Sequence, residues 1–290
     1  MCVTAPVHWR APAGTQTRAN RACESARCLS RMGMCHRSFL AASIVLFGLS
    51  TAVTIPWCAS MAAMGGMPMA GGWTLSMAWM PMAGETWAAV AASFLGMWTV
   101  MMVAMMLPAL MPLLWRYREA LGDGSGHPLG PLTALAALGY FCVWIACGTG
   151  AFALGATLAA LEMRLPCMAR AAPLAAGVVV LLAGVLQFTA WKARQLACCR
   201  QAPAHEPALS ARAASAWRHG LRLGLRCNYC CGGLTAILLA LGIMDVRVMG
   251  LVTLAISAER LAPGGVRIAR ATGALAVGGG LLLITRAAGL

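Results

Sequence analysis

The chain has 290 residues, of which 60% are hydrophobic and only 10% charged, with 13 cysteines, 20 methionines and a formal charge of +14. So much apolar surface cannot be hidden in one soluble core of this size, which excludes a water-soluble globular domain and predicts an all-α, polytopic transmembrane helical bundle. The positive charge would suggest nucleic acid in a soluble protein, but here Arg clusters between apolar runs, as membrane topology requires, so the expected partner is the lipid bilayer and not nucleic acid.

Residues 1–37 are rich in Ala, Pro and Arg and show no apolar periodicity, which predicts a disordered, basic, cytosolic segment. Met32 or Met34 would make a more usual start, and Cys2, Cys23, Cys28 and Cys35 upstream are given no functional weight. The first span is expected over about Ser38–Trp57, as a retained anchor and not a cleaved signal. The next segment, Cys58–Trp87, has no Lys or Arg and one acid, Glu85, against six Arg upstream, which places it outside the membrane and the N-terminus in the cytosol.

That segment is rich in methionine: Met61, Met64, Met67, Met69, Met77, Met80 and Met82 lie among Gly and Pro with no pattern that predicts a fold. The Met-x-Met pairs Met67–Met69 and Met80–Met82 let two thioethers close on one soft ion in an oxidising space. The competing reading is a loop lying at the interface, anchored by Trp73, Trp79 and Trp87.

From Trp87 to Trp115 no residue is charged, which predicts a membrane-spanning helix. Met97, Met101 and Met105 recur at helical i, i+4, i+8, and Met102 and Met106 form the adjacent column. Thioethers suit Cu(I), while Met also fills irregular gaps between helices, and packing is the stronger expectation for this helix taken alone. Pro108 and Pro112 are expected to loosen its cytosolic end.

Arg116 and Arg118 return the chain to the inside, and a third span is expected over about Pro131–Leu158, with Cys142 and Cys147 as packing residues. An outer loop with Glu162, Arg164 and Arg170 follows, then a fourth span over about Pro173–Trp191 that leads into Lys192, Arg194, Cys198, Cys199 and Arg200. Residues 192–226 read as a basic cytosolic loop that ends in Cys227-Asn-Tyr-Cys230-Cys231. Placed at the start of a helix, that motif would have its thiols near free N–H groups, which favours thiolate. Cys198 and Cys199 lie on the same side, and clustered thiols facing a reducing compartment point to metal more than to disulfides.

Asp245 and Arg247 interrupt the last apolar region, where charge is costly, so Asp245-Val-Arg247 reads as an outer turn. The split gives spans of about Cys227–Met244, Val246–Leu261 and Ile268–Thr285. It makes seven spans in all, with six as the alternative, Arg260, Arg267 and Arg270 at the inner face and the C-terminus outside.

The order Trp98…Met101-Met102…Met105-Met106-Leu-Pro108, Gln187…Lys192…Cys198, Cys227-x-x-Cys230-Cys231, Gly242-Ile-Met244-Asp245 and Glu259-Arg260-Leu-Ala-Pro263-Gly264 resembles a bacterial domain-of-unknown-function family. Its members are described as predicted metal-binding integral membrane proteins. The likeness runs from about Trp87 to the C-terminus, with two departures: Gly232 stands where Trp is common, and Arg260 where Lys is usual. It implies an inner-membrane location and a metal site, and brings no established activity.

The expected metal site is Cys227, Cys230 and Cys231 with Cys198 or Cys199, supplemented by Met101, Met102, Met105 and Met106 and by Met67, Met69, Met80 and Met82 of the outer loop. Thiolates accept Zn(II) or Cu(I), but thioethers single out Cu(I), so copper is the expected ion and zinc the alternative. Three function classes follow. The first is soft-metal handling between the outer Met loop and the inner thiols, with a copper chaperone or membrane complex as partner. The second is a structural or assembly subunit, and the third, ranked last, a membrane thiol oxidoreductase, for which Cys58 and Cys167 are the outer thiols. No motif for ATP-driven pumping is present, and no enzymatic activity is expected.

Overall fold

The computed structural model describes residues 14–63, 65–69, 73–76, 79–81, 84–121, 129–200 and 212–289, and for 14–36, 62 and 75 the backbone alone. The chain divides into two units, Met1–Val45 and Leu46–Leu290. In chain order the described elements are α1 (Gly14–Ala63), β1 (Gly66–Pro68), β2 (Thr74–Ser76), α2 (Trp87–Leu121), α3 (Leu129–Arg164), α4 (Pro166–Leu186), α5 (Ala190–Arg200), α6 (Ala213–Leu241), α7 (Val246–Leu261) and α8 (Gly265–Ala287).

The expected all-helical class is what the chain adopts, and six helical stretches are long and apolar enough to cross a membrane: Arg37–Met61 and the whole of α2, α3, α4, α6 and α8. The helix α7, at 16 residues, is shorter than these. The expectation for residues 1–37 falls in part on residues 1–13, outside the described residues, and from Gly14 onward the backbone is helical.

Several boundaries differ from the sequence reading, each for a local reason. The expected outer loop around Glu162, Arg164 and Arg170 is a one-residue corner: α3 runs to Arg164 and α4 starts at Pro166. Proline suits a first helical position, because the N–H it lacks has no partner there in any helix. The expected fourth span breaks at Gln187–Thr189, and the chain resumes as α5. The segment 192–226, expected as a loop, is largely helical, because α5 runs to Arg200, α6 begins at Ala213 and Cys227 lies in mid-helix. The Met loop contains a small antiparallel hairpin in which Met67 pairs with Leu75. The helix α2 continues through Pro108 and Pro112 to Leu121.

Glycine sets how closely the helices approach. A Cβ at Gly220 would meet the carbonyl of Ala136, one at Gly139 the carbonyl of Trp217, and one at Gly224 the carbonyl of Tyr140. The pair Gly220-x-x-x-Gly224 thus lets the backbones of α3 and α6 touch, the small-residue packing that membrane helices use. On the opposite flank Gly177, Gly184, Gly273 and Gly280 do the same for α4 and α8. Between α6 and α7 the chain turns at Gly242, whose φ of 121° no L-residue adopts easily. Asp245 then caps α7, its Oδ1 accepting from the N–H groups of Arg247 (2.8 Å) and Val248 (3.3 Å). The acid that interrupted the apolar run is a helix cap.

The Gly220→Ala change should force the two backbones apart and cost about 1–3 kcal/mol. Gly250→Ala, in a position with open space around it, should be neutral or slightly stabilising. Thermal unfolding of the two variants in detergent measures the difference, and equal midpoints would refute the close crossing.

Candidate metal centre

The close crossing of α3 and α6 brings Tyr140 onto the thiol face of α6. Cys227, Cys230 and Cys231 are all buried. Spaced i, i+3 and i+4, they share one side of the helix. The Tyr140 hydroxyl donates to Cys227 Sγ at 3.0 Å, and the Arg260 guanidinium donates to the same sulfur from α7 at 2.9 Å. Cys231 Sγ lies 3.8 Å from Cys227 Sγ. Cys230 interacts with Cys199 of α5 and with Cys231. Cys199 itself donates to the Arg226 carbonyl at 3.1 Å. Four thiols from two helices therefore form one chain of contacts.

An ion-pair network holds them. Lys192 Nζ meets Glu259 Oε2 at 2.7 Å, with both side chains almost wholly buried. Lys192 also donates to the Cys230 carbonyl at 2.7 Å. The second carboxylate oxygen of Glu259 accepts from Gln187 (3.1 Å) and from Thr272 of α8 (2.8 Å). The α4–α5 break places Gln187 and Lys192 on this network. The hydrogen bond to Cys230, together with burial, pushes the Cys199 thiol above its ordinary range.

The meeting of Arg260 with Cys227 follows from the turn. Cys227 lies fourteen residues before the last residue of α6 and Arg260 fourteen after the first of α7. In an antiparallel pair both therefore sit about 21 Å from the turn at 1.5 Å per residue.

Of the expected site residues, the structure gathers Cys227, Cys230, Cys231 and Cys199, whereas Cys198 is exposed and outside the cluster. The motif also sits mid-helix, so the expected N–H groups of a helix start do not serve it. Side chains do so instead: Arg260, Tyr140 and Lys192. Sequence reasoning missed that role and read Lys192 and Arg260 as inner-face charges, although both are buried. Among the described residues, no group of three or more His, Cys, Asp or Glu side chains is arranged to hold a metal ion as it stands. The Cys227–Cys231 separation of 3.8 Å nevertheless spans what one ion bent between two sulfurs needs, at a bond length of about 2.3 Å.

Met101, Met102, Met105 and Met106 are buried inside the bundle, as is Met97. Their neighbour Trp98 donates from Nε1 to the Trp144 carbonyl at 2.8 Å, which fixes the register of α2 against α3. In the Met loop, Met67 is exposed, Met69 and Met80 are half-buried, and Met82 lies outside the described residues. Two of the loop's tryptophans are not free headgroup anchors. Trp73 Nε1 donates to the Ala169 carbonyl of α4 at 2.7 Å. Trp79 packs on Phe94 with centroids 5.1 Å apart, and Phe94 in turn stacks on Trp98 at 6.0 Å. Trp87 is exposed. An aromatic column thus ties the loop to the methionine helix. Cys147 belongs elsewhere, accepting from Asn228 at 3.0 Å.

Fold and site together define a helical bundle of membrane-crossing composition that keeps a thiol cluster and a charge network in its interior. Residues 95–283 match the PpoB2 family, described as copper chaperone. The match spans more than half of the chain, so the chain belongs to that family, and its role is copper-related. Searches of curated proteins and of solved structures each returned no match. The metal implied by the sequence resemblance is therefore copper, on the evidence of family membership.

Replacing Glu259 with Leu leaves the Lys192 ammonium buried without its counter-charge and should cost about 3 kcal/mol or more. The double change Lys192→Met with Glu259→Leu should recover much of the loss, because it removes both charges. Denaturant unfolding in detergent reads both values, and a Glu259→Leu protein as stable as the parent would contradict the network.

Proposed function

We propose that the chain is a multi-pass inner-membrane copper chaperone that handles Cu(I) between an extracytoplasmic Met loop and a buried thiol centre. The thiols of the centre are Cys227, Cys230 and Cys231 with Cys199, and of these Cys227 and Cys231 hold the ion. The observation that carries this reading is the convergence of these four thiols, from two helices, beside fixed cations in a protein of a copper family. Cys198, exposed beside the cluster, is suited to an acceptor contact instead.

Met67, Met69, Met80 and Met82 form the outer station, where neutral thioethers hold Cu(I) without risk of disulfide formation. Met101, Met102, Met105 and Met106 line the passage between the two. Their burial supports this, since a thioether that faces protein is available to an ion that stays inside the bundle. Zn(II) fits the thiols but not the thioethers, so Cu(I) is the ion common to both stations. A structural or assembly role is the second reading, favoured by the Lys192–Glu259–Gln187–Thr272 network, which satisfies its own polar groups with no metal.

Copper titration decides between them. The triple change of Cys227, Cys230 and Cys231 to Ser should remove most Cu(I) bound by the purified protein, measured under reducing conditions with Zn(II) as control. Unchanged stoichiometry would eliminate the thiol site. Leu at Met67, Met69, Met80 and Met82 should lower Cu(I) uptake and leave Zn(II) unaffected, and no change would remove the outer station.

The topology proposed with this function has α7 as a seventh crossing, the N-terminus in the cytosol and the α6–α7 turn outside. Arg212 at the N-cap of α6, with Arg218, Arg222 and Arg226 on its first half, supports it by placing that end inside. A periplasm-dependent reporter fused at Asp245 should be active, and one fused at Arg218 silent. An inactive Asp245 fusion would leave six crossings.

A further inference from the structure

Leaving the thiols aside, the buried side chains of the centre carry one net positive charge. Lys192 and Glu259 neutralise each other at 2.7 Å. Arg200, half-exposed, reaches the Glu259 backbone carbonyl at 3.5 Å, and solvent screens its charge. That leaves the buried Arg260 guanidinium, which donates to Cys227 Sγ at 2.9 Å. A guanidinium does not lose its proton in a protein, so this positive charge is permanent. A buried charge is tolerated only when something nearby balances it.

We propose that Arg260 fixes the charge of the ion accepted by the thiol centre, selecting a monovalent soft ion held by two thiolates. The inference rests on reading Cys227 and Cys231 as ligands. Two thiolates around Cu(I) total one negative charge, and with Arg260 the centre is neutral. The same pair around Zn(II) is already neutral, and Arg260 is left uncompensated. A divalent ion reaches balance only with a third thiolate, which takes Cys230 from its bond with Cys199. No redox step is involved: the ion enters as a monovalent cation, two sulfur–metal bonds form, and any thiol proton displaced leaves to solvent. Arg260 touches Cys227 and not the ion, so it acts as a specificity residue through its charge.

The test is a competition titration of the full-length protein in detergent with Cu(I), Ag(I) and Zn(II) salts against metal-binding dyes. Arg260→Gln should weaken Cu(I) and Ag(I) about tenfold or more, the weight of a charged hydrogen bond, and Zn(II) much less. Cys231→Met in the Arg260→Gln background should restore much of the Cu(I) affinity, because one thiolate and one thioether around Cu(I) are neutral without an arginine. In the parent background the same Cys231→Met change should weaken Cu(I). Equal losses for all three ions, or no recovery in the double variant, would overturn the proposal. If Arg260→Gln does not fold, Arg260→Lys decides: it keeps the charge and loses the planar fork, so a retained Cu(I)-over-Zn(II) preference supports the charge rule and a lost preference refutes it. A parent protein that binds no Cu(I) would defeat the thiol site itself. Cu(I) binding with an unaltered preference in the variants would defeat only the role of Arg260.

Discussion

The structure around the thiols depends on one constraint: Lys192 and Glu259 form an ion pair whose side chains are almost wholly buried. Neither could be buried alone, since an unpaired ammonium or carboxylate costs several kcal/mol or more in such surroundings. Pairing them ties α5 to α7, and the remaining capacity of Glu259 draws in Gln187 at the α4–α5 break and Thr272 of α8. Four segments are thereby held at one point. Lys192 reaches on to the Cys230 carbonyl, so the backbone that carries the thiols is held by the same ammonium. Arg260 follows Glu259 in the chain, and its contact with Cys227 is set by the placement of that acid on α7.

The broad architecture was legible in the sequence because hydrophobic length is a strong signal. The uncharged run from Trp87 to Trp115 is helical, and the split at Asp245 produced α7 with the expected bounds, Val246–Leu261. Helix ends were less legible. Leu165 alone separates α3 from α4, where charges at Glu162, Arg164 and Arg170 suggested a loop. Charge there marks helix ends and not the lack of a helix. In the site, thiol content was visible but its surroundings were not. Lys192 and Arg260 look, residue by residue, like ordinary cations near an inner face. Only the pairing of α5 with α7, a long-range fact, turns them inward. A signal was nonetheless present: a Lys and a Glu-Arg pair next to apolar runs, with the α6–α7 turn equidistant from Cys227 and Arg260, which antiparallel packing must bring level.

Choosing between Cys199 and Cys198 shows the same limit on a smaller scale. Adjacent residues on a helix point about 100° apart, so at most one of them can face α6. Composition cannot say which; the rotation of α5 does, and that rotation is set by Lys192, seven residues earlier and two turns away on the same side.

In the proposed path the two kinds of sulfur differ in more than softness. A thioether is neutral, so a Cu(I) held by Met keeps its full positive charge, and the bundle must bear the cost of burying it. A pair of thiolates reverses the sign of the complex, and the buried guanidinium then balances it. An ion moving from the methionines of α2 to Cys227 and Cys231 therefore passes from a site where its charge is uncompensated to one where it is neutralised. The gradient of binding strength then comes from charge as well as from ligand type, and it runs toward the thiols. Such a gradient loads the centre readily but does not unload it. Release requires a competing thiolate ligand to approach, and exposed Cys198, next in the chain to buried Cys199, lies where such a ligand would first make contact.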